Sequence, residues 1–130
     1  MKKYGIVTAL VLFSSILFIR ANFSDNSSEL KNGYVYPEDV KAVIDNSCYG
    51  CHSEKGQSDK AKKALRWDTF GELSNAKKVA ALDGIIEVMQ NEEMPPGKFL
   101  EKYPDTKPSA KDVKTLIKWA NKEADKLMGE

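Results

Sequence analysis

Asn46-Ser47-Cys48-Tyr49-Gly50-Cys51-His52-Ser53 contains both cysteines and the single histidine of the 130-residue chain. Two cysteines three apart lie on one side of a helical turn, so their sulfurs can reach the two vinyl groups of one porphyrin. The adjacent His52 then falls beneath the ring centre, where an imidazole nitrogen can bind iron. The pattern C-x-x-C-H therefore reads as a site of covalent c-type haem attachment. Other chemistries fit it less well. A structural zinc site takes four Cys or His ligands, and this chain owns three. A redox dithiol belongs beside a βαβ pattern, which is absent here. A structural disulfide between Cys48 and Cys51 would close a very short, strained loop.

Upstream, Lys2 and Lys3 precede a mostly apolar run over residues 6–19. This is an export signal rather than part of the fold. Ile19 is large for the position two before a cleavage point at Ala21, and the run is short of the roughly 20 residues that span a bilayer. Residues 1–21 are thus a signal peptide, the favoured reading, or an N-terminal membrane anchor held through residues 4–20. In either case Lys2 and Lys3 stay inside, and the rest of the chain is exported: periplasmic, or tethered to the outer face of the cytoplasmic membrane. The formal charge is +1, from 20 basic and 19 acidic residues. Without residues 1–21 the balance is 17 basic against 19 acidic, a net of −2. That is no nucleic-acid footprint.

Residues 22–33 are polar and read as a flexible linker. Residues 34–130 form the c-type haem-binding domain. It is small enough that its core is thin, and a haem offers an apolar disc on which side chains can pack.

The rest of that domain reads as helical. Pro37, Glu38 and Asp39 suit a helix start, and Val40, Val43 and Ile44 recur on one face, so a first helix runs into Cys48. Residues 52–60 are polar, contain Gly56 and read as loop. A second helix covers residues 76–91 with Val79, Leu82, Ile85, Ile86 and Met89 on one face; Gly84 weakens it. The chain then breaks at Met94-Pro95-Pro96-Gly97 and stays irregular to Pro108. Ser109 with Asp112 approximates a capping box, and Val113, Leu116, Ile117, Ala120, Ala124 and Leu127 form the stripe of a last helix. No alternating strand is found. The expected fold is all-α, a cytochrome c-like helical domain wrapped around one covalently attached haem, with its first and last helices packed together.

A second iron ligand must come from elsewhere, since no other histidine exists. Met89 lies on an apolar helix face and reads as core. Met128 lies near the chain end, where helices fray. Met94 opens a segment stiffened by two prolines and is the favoured ligand. The alternatives are a five-coordinate iron or a lysine amine, with Met94 merely anchoring its loop. His/Met ligation raises the reduction potential and leaves no open site for substrate.

These residues resemble the family of small exported haem-binding domains of c-type cytochrome character. The likeness covers residues 34–128. It rests on the motif octapeptide, Leu65-Arg66-Trp67, Glu93-Met94-Pro95, Tyr103-Pro104 and Leu116-Ile117-Lys118-Trp119. The resemblance implies one haem c bound through Cys48 and Cys51, with His52 and Met94 as axial ligands. Many members carry an aromatic, proline-containing insert after the motif. Here residues 52–64 are short, polar and lysine-rich, which leaves the haem edge more open on that side.

Trp67 is a candidate haem contact, donating its indole N–H to a propionate; the competing reading is core filling. Trp119 reads as helix packing. Tyr103 and Arg66 are weaker propionate candidates. Lys55, Lys60, Lys62 and Lys63 read as a solvated loop, or as a patch for an acidic redox partner. The functional expectation is a monohaem electron carrier outside the cytoplasmic membrane, not an enzyme, exchanging electrons with donor and acceptor proteins. The alternative is a haem-based sensor or small-ligand binder with a displaceable sixth ligand. A peroxidase lacks a distal acid–base group, and a non-haem thiol protein is the last reading.

Overall fold

The computed structural model describes residues 34–129. Among them five α-helices follow one another: α1 (Glu38–Ser47), α2 (Asp59–Ala64), α3 (Asn75–Gln90), α4 (Gly97–Lys102) and α5 (Ala110–Met128). Two 3-10 turns, Trp67–Glu72 and Pro104–Thr106, lie between them, and no strand occurs among the described residues. The fold is all-α, as the periodicities suggest. The leader and linker expected over residues 1–33 lie outside the described residues.

The chain starts and stops each helix by local chemistry. Pro37 sits just before α1, with Glu38 and Asp39 at its positive end. Ser74 caps α3 by accepting the Lys77 N–H. Ser109 and Asp112 close a reciprocal capping box on α5, with Asp in the role usually taken by Glu or Gln. Gly129, in the left-handed region at φ 89°, ends that helix.

Two short helices fall where loop was expected. Ser58 accepts the Ala61 N–H, Asp59 lies in the first turn of α2, and Lys62 and Lys63 lie in the last, placements that suit the helix dipole. α4 begins directly after Pro96.

α5 is the spine. It packs most extensively on α3, and also on α1, as expected of the first and last helices. The core draws Val40, Val43 and Ile44 from α1, Leu82, Ile85 and Met89 from α3, and Leu116, Trp119, Ala120 and Ala124 from α5. An aromatic cluster fills its other side. Tyr36 lies 5.8 Å from Trp67 and 5.7 Å from Trp119 between ring centroids, and Phe70 joins all three. The aromatic neighbours of Trp119 are Tyr36, Trp67 and Phe70. Fully burying such rings contributes about 1.5–3 kcal/mol each.

Candidate functional site

The site begins where α1 ends. Cys48 donates its N–H back to the Ile44 carbonyl, and the next turn is closed by Cys51 and His52 N–H groups donating to the Cys48 carbonyl at 3.1 and 3.0 Å. That turn places Cys48, Cys51 and His52 on the wall of one cavity of about 510 Å³. The loop then folds back tightly. Gly56 is buried because a Cβ there would lie 2.3 Å from the Cys51 carbonyl oxygen, so only glycine fits.

Residues 65–68 run alongside residues 52–54 and fix the histidine. The Nδ1 of His52 lies 2.9 Å from the Leu65 carbonyl oxygen. A carbonyl only accepts, so Nδ1 carries the proton and Nε2 keeps its lone pair. The Trp67 backbone N–H donates to the His52 carbonyl at 2.9 Å, and the Glu54 backbone N–H donates to Asp68 Oδ2 at 3.0 Å. Arg66 also donates to both oxygens of Asp68. Burial works to raise the Asp68 carboxyl, but these bonds outweigh it and hold the group below the usual carboxylate range.

The opposite wall comes from α3 and the segment after it. Ala80, Ala81 and Gly84 border the cavity, and a Cβ on Gly84 would meet nothing within 4 Å. The glycine that weakens α3 in sequence thus keeps this wall flat. α3 closes with a Schellman motif: Glu92 takes φ 54°, its N–H donates to the Met89 carbonyl, and the Glu93 N–H donates to Val88. Met94 follows at once, with Pro95 buried beside it.

All five residues singled out in the sequence, Cys48, Cys51, His52, Trp67 and Met94, border this one cavity. Met89 and Lys60 border it too, so the methionine and lysine alternatives for the sixth ligand share the same space. Met128 is 58% exposed and does not line it. Neither does Tyr103. Arg66 is committed to Asp68 and borders a neighbouring groove instead. The sequence did not signal the Leu65 carbonyl, since a backbone acceptor leaves no side-chain signature.

The cavity suits a haem on several independent grounds. Its walls are mainly apolar, and its size falls within the roughly 300–1,000 Å³ of ligand pockets. His52 offers a free Nε2. The indole Nε1–H of Trp67 is buried with no hydrogen-bond partner among the described residues, an arrangement that costs about 1–3 kcal/mol unless a ligand accepts it. Burial, and to a lesser extent Cys51, pushes the Cys48 thiol up to about 12. Redox dithiols instead have a lowered thiol pKa.

Residues 56–122 match the family described as "Haem-binding domain". The matched stretch covers α2 to most of α5 and starts just beyond His52. No curated protein and no solved structure matches the chain.

Proposed function

The chain belongs to the haem-binding domain family, and on that premise we propose that it is a monohaem c-type cytochrome that carries electrons outside the cytoplasmic membrane. The observation that supports this most is the single cavity bordered by Cys48, Cys51, His52, Met94 and Trp67. Cys48 and Cys51 hold haem c through thioether bonds. His52 ligates through Nε2, kept basic and oriented by the Leu65 carbonyl. Met94 would hold the iron through its thioether, a neutral donor that favours the ferrous state. Trp67 donates its orphaned N–H to the polar edge of the group. Haem held in this way supplies a one-electron iron couple. The mainly apolar walls of the cavity limit water around the group, which suits a carrier. Its partners are redox proteins on the same side of the membrane, and residues 1–21 deliver it there as a cleaved signal or an anchor.

The test is attachment. Full-length protein made in an export strain with c-type maturation should keep its haem through acid–acetone extraction, and the Cys48→Ala/Cys51→Ala variant should lose it. Haem extracted from the parent protein would overturn the c-type reading.

A second reading is favoured by one observation. Met94 lies on a segment without regular structure between α3 and α4. A loosely held sixth ligand suits a sensor whose thioether gives way to a small molecule. Rapid carbon monoxide binding by the reduced wild type selects that reading; no binding selects the carrier.

A further inference from the structure

A second concavity, of about 420 Å³, lies against the haem cavity and shares Ala64, Leu65, Ala80 and Ala81 with it. Lys62, Lys63, Arg66 and Lys77 line it, and no carboxylate does. Leu73 and Thr69 complete its lining. The domain as a whole is nearly neutral: residues 34–130 hold 16 basic and 17 acidic side chains. Four cations around one groove are therefore a local concentration of charge.

Two of those cations have counter-charges outside the groove. Lys62 pairs with Asp59, which is 88% exposed, and Arg66 is held by Asp68, using two of its N–H donors. Lys63 and Lys77 form no ion pair among the described residues. Lys77 also sits in the first turn of α3, where no acid offsets it. A cation there opposes the helix dipole, at a cost of about 0.3–1 kcal/mol. An anion in the groove relieves that conflict.

We propose that this groove binds a small organic polyanion, a carboxylate or a phosphate, and that the bound anion lowers the reduction potential at the adjacent cavity. The apolar floor of Leu65, Leu73, Ala80 and Ala81 takes the carbon body, and the four cations with Thr69 take the charge. Leu65 belongs to both spaces, and its carbonyl holds His52. Negative charge placed there disfavours uptake of an electron, so the anion binds the oxidised protein more tightly. By linkage, reduction by a donor protein releases it. The binding stands on the groove alone; the effect on potential rests on the haem reading above.

Calorimetric titration of the full-length holoprotein with citrate, and separately with pyrophosphate, at constant ionic strength tests the binding. One saturable site is expected, weakened about tenfold or more in Lys63→Gln/Lys77→Gln and unchanged in Lys114→Gln/Lys122→Gln on exposed α5. Binding of citrate alone identifies a carboxylate ligand, and binding of pyrophosphate alone a phosphate ligand. Titration of the potential should show a fall with anion in the parent protein and none in Lys63→Gln/Lys77→Gln. No saturable binding of either probe, or equal weakening in the α5 variant, overturns the site. Binding without a fall in potential overturns the redox linkage. Because calorimetry reads the site whether or not haem is attached, failure of the haem reading remains distinguishable.

Discussion

The two walls of the haem cavity are held in different ways. On the His52 side, three hydrogen bonds tie residues 52–54 to residues 65–68, a buried glycine packs under the motif, and the aromatic cluster backs the segment. On the Met94 side, the chain leaves α3 through a Schellman turn with glutamate in the left-handed position, and Met94 follows on a segment without regular structure. The first wall has one conformation fixed by many small terms. The second depends on two prolines and a helix end. His52 is thus tied into the fold by several bonds, whereas Met94 sits on a short irregular segment beyond a helix end.

The sharpest way to break the comparison is to attack the fixed wall. Gly56→Ala drives a Cβ into the Cys51 backbone and should cost about 3 kcal/mol in urea unfolding. Gly50→Ala, whose Cβ meets nothing within 4 Å, should be near neutral. Equal effects from the two would show that the loop is not packed on the motif. Met94→Ala tests the loose wall. It should lower the potential by on the order of 100 mV, a fraction of the ~0.8 V that axial ligands span, and open the iron to carbon monoxide. Its unfolding midpoint should hardly move. An unchanged potential would remove Met94 from the iron.

Asp68→Asn loosens the fixed wall more gently, by about 1.5 kcal/mol, through weakened bonds to Arg66 and the Glu54 N–H. Its folded carboxyl lies below the ordinary value, so its stabilisation is present above the unfolded pKa and is lost as pH falls through the folded one. Acid unfolding of the variant should therefore be less steep in that window; an identical acid profile would deny Asp68 this role. The smallest effect belongs to the loose wall. Glu92→Gly relieves a left-handed non-glycine residue and should stabilise by about 0.5–1 kcal/mol, measured by thermal unfolding. Destabilisation would mean that the Glu92 side chain contributes more than its backbone costs.

Much of this arrangement was legible in the sequence. The motif, the stripes of α1, α3 and α5, the Ser109 cap and the break at Met94 were each visible as spacing or turn chemistry. α2 and α4 were not, because six residues are too few for a helical period to register. The 3-10 turn Trp67–Glu72 leaves no periodic signature for the same reason. Gly84 was read as a flaw in a helix, because its value lies in the space across from it. The Leu65 carbonyl, which sets the tautomer of His52, is invisible to any reading of side chains. The basic groove joins Lys62, Lys63 and Arg66 to Lys77 from the next helix, a grouping that only the packing of α3 creates.

The most direct measurement is the visible spectrum of the matured full-length protein, oxidised and then reduced. Sharp reduced bands are expected and, in the oxidised state, the weak far-red charge-transfer band of a methionine thioether opposite histidine, lost in Met94→Ala. Haem bands without that far-red feature, or a far-red band that survives Met94→Ala, would contradict ligation by Met94.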